Sequence, residues 1–324
     1  MIHPTFFSHH RRAGFSLVEL LVVVGLLGFI GTALTLLLMR QQRFHGAIVS
    51  VTDARARMRD IATILPTDLR GVSTAGSDIL SFEVNAMQFR AFIGTSIVCK
   101  YASADVIELP PQDMESGTVL SAWINPPAVG DLAFIYDEGL EAGNLDDEWI
   151  RYNITGVTSA VDPTWCPSTN TPAYATAADD GQLRHRITLG VAPSQTRSKI
   201  GSVIRFAREV RYSGYEASDG NWYVGYALCT PDADPVTAGE CDDEELLAGP
   251  IKPITTDTLT SGLFFVYYNQ TGTPVTDQAL KATIARVSVG IRTTSESIQR
   301  ATSNITTLQG GDSLRFTVGI RNRI

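Results

Sequence analysis

Between Leu20 and Met39 the chain carries twenty consecutive uncharged, mainly apolar residues. As a helix rising about 1.5 Å per residue, such a run covers about 30 Å, the thickness of a bilayer core. Past it, apolar residues recur at Phe44, Ile48, Val51, Met58, Ala62, Leu65 and Leu69, and with Arg55 interposed the steps alternate between three and four. That spacing draws a single stripe along a helix. Arg43, Asp53, Arg57, Arg59 and Asp60 fall on the opposite face. The pattern predicts one helix from about Ser16 to Leu65. Pro66 ends or kinks it, because proline lacks an amide donor and disfavours helix in the residue before it.

After Gly71 the period changes to two, in short runs rich in β-branched and aromatic residues. Strands are predicted at 79–84, 88–93, 118–124, 132–136, 187–190, 203–212, 222–228, 263–268, 283–292 and 313–321. In the last two, Ala285, Val287, Val289 and Ile291 share one face, as do Leu314, Phe316, Val318 and Ile320. Such alternation belongs to half-buried antiparallel sheets. Turn-rich loops are expected at 137–147, 159–181, 218–221 and 230–253, and loops of the longer kind are functional or mobile. The fold class is therefore α+β. A long N-terminal helix, transmembrane in its first half, packs on an antiparallel β-rich body.

One carboxylate, Glu19, stands at the mouth of the apolar run. An acid there is costly, roughly 2.5–3.5 kcal/mol at a membrane helix centre and less near an end where it can snorkel. A secretory signal does not fit. The apolar stretch is too long, no small-residue cleavage site follows it, and the chain continues as Arg40-Gln41-Gln42-Arg43. Arg11 and Arg12 precede the run while Arg40 and Arg43 follow it, so the positive-inside rule gives only a weak orientation.

The stretch Gly14-Phe15-Ser16-Leu17-Val18-Glu19 closely resembles the processing motif of type IV prepilins and type II secretion prepseudopilins. The resemblance covers residues 1 to about 65. It implies cleavage by a prepilin peptidase between Gly14 and Phe15 at the cytoplasmic membrane face, N-methylation of Phe15, and an assembly role for Glu19. It also implies that the leader lies inside and the body outside. The α-amino group freed by cleavage lies four residues from Glu19, and that of a neighbouring subunit would be its natural counter-charge. The segments then divide as leader 1–14, transmembrane half-helix 15–39, amphipathic half-helix 40–66 and β-rich periplasmic or extracellular body 67–324. Many major pilins carry a helix-breaking proline near the middle of the apolar segment, and this chain has none. Its last two strands, and Asp68-Leu69-Arg70 after the long helix, look like those of the larger minor subunits, the J-type pseudopilins and W-type minor pilins.

Net charge is −8, and loss of the leader's two arginines leaves 24 basic residues against 34 acidic, a net charge of −10. So acidic a body argues against nucleic-acid binding. Of the four cysteines, none forms a C-x-x-C or has a histidine at metal-ligand spacing, so zinc is not expected. Outside the cytoplasmic membrane disulfides are allowed, and four cysteines permit three pairings. Cys229 and Cys241 enclose a loop rich in Pro, Gly and Asp, which favours closing that loop. Cys99–Cys166 then follows by elimination, with buried free thiols as the alternative.

No H-E-x-x-H, Walker A or G-x-G-x-x-G occurs, and no catalytic residue or cofactor is expected. His185, between Arg184 and Arg186, reads as a solvated strand residue and His45 lies on the long helix. Asp242-Asp243-Glu244-Glu245 lacks the spaced ligands and glycine of an EF-hand loop and reads as a solvated acidic turn rather than a calcium site. The four tryptophans, Trp123, Trp149, Trp165 and Trp222, read as core or loop anchors. The expectation is a non-enzymatic minor pilin or minor pseudopilin at or near a filament tip. Its partners would be the prepilin peptidase, other pilins or pseudopilins, the assembly platform and the inner membrane. A filament-borne adhesin or cargo-binding subunit is the alternative.

Overall fold

A computed structural model of the chain describes residues 16–74, 76–123, 125–140, 146–170, 173–293 and 313–320. The leader, Gly14 and Phe15 lie outside the described residues, as do the side chains of Val51, Asp53 and Arg57. The described residues divide into two compact units, 16–53 and 54–293 with 313–320.

In the first unit the described residues after Ser16 belong to α1 (Leu17–Arg70), a single helix of 54 residues that continues into the second unit. The stretch Leu17–Gly46 is long and apolar enough to cross a membrane. Phe44 and Ile48, placed on the apolar stripe by spacing, are exposed here.

The second unit holds the rest of α1 and all the strands among the described residues. Met58, Ile61, Leu65 and Leu69, at steps of three and four, turn one face of the helix into its main core. Burying each such side chain stabilises by roughly 1.5–3 kcal/mol. Ile61 is the fully buried residue where the stripe had placed Ala62, which is only half-buried. The helix also passes through Pro66 and ends at Arg70, not at Leu65. Proline removes only its own donor, while buried Leu65 and Leu69 on either side hold the last turn against the sheet. The Thr67 hydroxyl donates to the Thr63 carbonyl at 2.7 Å within that turn. Gly71 follows, where a Cβ would collide with Phe92.

The strands are β1 (Ile79–Phe82), β2 (Ala86–Ile97), β3 (Lys100–Tyr101), β4 (Val106–Leu109), β5 (Ala122–Trp123), β6 (Leu132–Asp137), β7 (Glu148–Ala160) and β8 (Arg184–Leu189). They continue with β9 (Val203–Glu216), β10 (Trp222–Thr230), β11 (Glu240–Cys241), β12 (Glu245–Ile251), β13 (Leu263–Asn269), β14 (Ile284–Arg292) and β15 (Ser313–Gly319). All pairings are antiparallel. β9 is the spine. One of its edges pairs with β2, and the other is shared by β6 at Ile204–Ala207 and β10 at Val210–Glu216.

The sheet therefore forks along β9, and the core divides with it. Val210 and Tyr212 join the helix, β13, β14 and β15 in the larger cluster, whereas Ile204 and Phe206 join β4, β6, β7 and β8 in the other. In the three-stranded sheet Val289 faces Phe265 and Phe316 across its neighbours, and Ile291 faces Leu263 and Leu314. Two expectations are corrected: β12 lies inside the expected loop 230–253, and of 118–123 only Ala122 and Trp123 pair. β7 is a strand of 13 residues in a stretch for most of which the pattern predicts neither strand nor loop.

Candidate functional site: the N-terminal helix start and the loop-covered face

Ser16 sits immediately before α1, and its Oγ accepts from the Glu19 amide at 3.3 Å. Its carbonyl accepts from the amides of Glu19 and Leu20, both at 3.1 Å. Serine followed three residues later by glutamate is the pattern of a capping box, and here the serine half is made. Glu19 is exposed in the first turn, where a negative charge meets the positive end of the helix dipole. The acid thus has a local electrostatic reason for its position, in addition to any partner.

The helix that follows is closed on itself. Thr32 and Thr35 donate to the carbonyls of Gly28 and Gly31, both at 2.8 Å, so their hydroxyls need no outside partner. A Cβ at Gly25, Gly28, Gly31 or Gly46 would meet nothing within 4 Å. Each glycine weakens a helix by roughly 0.5–1 kcal/mol relative to alanine, and no contact among the described residues requires it.

In the body, Cys229 is bonded to Cys241 and Cys99 to Cys166. Cys166 donates its amide to Oε2 of buried Glu108 at 2.7 Å, and Arg186 grips Oε1 of the same carboxylate through Nε and Nη2 at 2.9 and 2.6 Å. Arg186 also lies over the Trp165 ring, 4.1 Å from its centre. The loop closed by Cys229–Cys241 is pinned across the sheet by its own backbone. Ala233 accepts from Arg151 Nη2 at 2.7 Å, Pro235 from Arg90 Nη2 at 2.5 Å, Val236 from Lys281 at 2.8 Å and Gly239 from Gln88 at 2.8 Å.

His185 is buried rather than solvated. It shares a 2.7 Å hydrogen bond with Ser159 Oγ and meets Trp123 edge-on at 5.2 Å. Burial holds its pKa below the usual 6.5. His45 is exposed on α1. Asp242 to Glu245 are exposed, with Glu244 accepting from Ser213 at 3.2 Å. Among the described residues no group of three or more His, Cys, Asp or Glu is arranged to hold a metal ion. Trp123 and Trp165 are buried, Trp222 packs against the main core, and Trp149 is exposed.

One feature was not foreseen. Arg151, Phe134 and Arg205 stand side by side in a cross-strand row of β7, β6 and β9. Arg90, from β2, also reaches the Phe134 ring, its guanidinium 5.8 Å from the ring centre against 5.5 Å for Arg205. The residues lie far apart in sequence, and only the order of strands joins them.

Residues 9–35 match the family described as the prokaryotic N-terminal methylation motif. No curated protein and no solved structure matches the chain. The chain thus carries a prepilin-type methylation motif at the head of its apolar helix, ahead of a β-rich body.

Proposed function

We propose that the protein is a minor pilin or minor pseudopilin, incorporated at or near the tip of a type IV pilus or type II secretion pseudopilus. The observation that carries this reading is the matched motif at residues 9–35, which runs directly into an apolar helix where a Cβ at any of its glycines would meet nothing within 4 Å among the described residues. Prepilin peptidase removes residues 1–14, and the new N-terminus at Phe15 is methylated. The chain is the substrate of that reaction, not its catalyst. Until assembly the helix holds the subunit in the inner membrane with its body in the periplasm. In the filament the same helix packs among those of other subunits, where glycines permit close approach. The missing mid-segment proline and the enlarged body favour a minor over a major subunit.

Glu19 then has two duties. It completes the charge pattern of the helix start, and it pairs with the Phe15 amine of the adjacent subunit, which sets the axial register. The test compares Glu19→Ala with the wild type for incorporation into sheared filaments, with membrane levels of both measured alongside. Loss of incorporation at equal membrane level is the expected result. Unchanged incorporation contradicts the register role.

A further inference from the structure

A cavity of about 750 Å³ opens beside the end of α1, lined in part by Arg70, Arg90, Arg151 and Arg205. No acidic residue is among its described lining residues, in a chain whose net charge is −8. The charges are only partly answered from behind. Asp78 Oδ2 pairs with Arg205 at 2.5 Å, while Glu209 Oε1 is taken by Gln88 and the Gly239 amide. Among the described residues Nε of Arg90 and Nη1 of Arg151 are buried with no hydrogen-bond partner, while Arg90 donates its other nitrogens to the Ser77 and Pro235 carbonyls and Arg151 donates Nη2 to the Ala233 carbonyl. Arg90 is itself 1% exposed. Burial pulls its pKa below the ordinary arginine range, and Arg151 and Arg205 push the same way against Asp78 and Glu209.

Burying a guanidinium N–H without a partner carries a cost even where the rest of the group is bonded. Arg90, Arg151 and Arg205 converge under an open cavity with no carboxylate among its described lining residues, which leaves a positive charge that an oxyanion would neutralise. The planar guanidinium fork suits a carboxylate. The walls add a second requirement. The Phe134 ring is occupied by two arginines, but Phe92 and Trp149 are 42% and 48% exposed at the cavity. The volume lies within the range of small-molecule sites, which combine apolar walls with few convergent polar groups.

We infer that this cavity binds a small organic carboxylate with an aromatic or branched apolar body, its oxyanion over Arg90, Arg151 and Arg205 and its body between Phe92 and Trp149. The disulfide-closed loop builds one wall through Pro235 and Val236, so the bond at Cys229–Cys241 also shapes the pocket.

The test titrates the full chain in detergent micelles with phenylacetate, and with 2-phenylethanol as the neutral analogue, by calorimetry. Saturable binding of phenylacetate without binding of the alcohol is expected. Arg151→Gln should weaken it by about tenfold or more, as loss of a charged hydrogen bond does, and Arg151→Lys should restore part of the loss. Trp149→Ala, at an exposed wall position, should weaken binding with the unfolding midpoint unchanged, which separates ligand loss from misfolding. Absence of saturable phenylacetate binding, equal binding of the alcohol, or affinity indifferent to both Arg151→Gln and Trp149→Ala would overturn the proposal.

Discussion

The Tyr212 hydroxyl donates to Asp68 Oδ2 at 2.6 Å, tying the last turn of α1 to the spine strand of the sheet. Tyr212 is fully buried and stacks on Phe89 with ring centres 5.8 Å apart, so the bond is made at the floor of the main core. Burial raises the pKa of Asp68 above 3.8, opposed by this hydrogen bond, and burial raises that of Tyr212 as well. Tyr212→Phe keeps the ring and orphans the carboxylate. It should cost about 1–3 kcal/mol in chemical unfolding of the body.

The same pair sets a pH dependence. A carboxyl whose folded pKa lies above its unfolded value binds its proton more tightly in the native state. Its contribution is complete below the unfolded value near 3.8 and is lost as pH rises through the folded one. Asp68→Asn, which cannot titrate, should flatten the unfolding midpoint across that window.

His185 has the opposite sign of charge and a depressed pKa. Its contribution is present above the unfolded value near 6.5 and is lost as pH falls through the lower folded value. His185→Gln should therefore lose less stability than the wild type between neutral pH and pH about 5, measured by urea midpoints.

Glu108 is buried, and its carboxylate holds the Cys166 amide and Arg186 at the meeting of β4, β8 and the Cys99–Cys166 bond. Removing one partner of a buried ion pair costs about 3–5 kcal/mol. Arg186 is 31% exposed and can turn to water, so Glu108→Ala should fall toward the lower end of that range in thermal unfolding.

The two disulfides should differ in worth. Cys99–Cys166 spans 67 residues and Cys229–Cys241 spans 12. Chain entropy favours the longer loop, with about 3 kcal/mol expected for a 15-residue loop and about 4.7 for one of 100. The Cys99→Ser/Cys166→Ser double variant should thus unfold at lower denaturant than Cys229→Ser/Cys241→Ser. Equal midpoints would mean that strain or residual structure outweighs loop length.

The long helix and most strands were legible because their periods are strong. Where reading failed, a second rule outweighed the first. Ile61 and Ala62 both continue an apolar stripe, and only the sheet it meets decides which is buried. β7 has Ile150, Tyr152 and Ile154 in alternation, but a register shift between Ile154 and Gly156 breaks the period before Val157. β12 contains Gly249 and Pro250, and among the described residues β10 is the one named strand it pairs with, apart from an isolated bridge from Ile251 to Thr293, so it lies toward a sheet edge, where proline costs least. The arginine-lined cavity was invisible for a different reason. Arg90, Arg151 and Arg205 share no local motif, and it is the order β2, β9, β6, β7 that gathers them.

The central claim is that residues 9–35 are a working processing signal. The most direct measurement is intact and peptide mass spectrometry of the chain purified from membranes of a host that carries a prepilin peptidase. A chain beginning at N-methylated Phe15, lacking residues 1–14, is the predicted result. An intact N-terminus at Met1, or a start at any residue other than Phe15, would contradict the account.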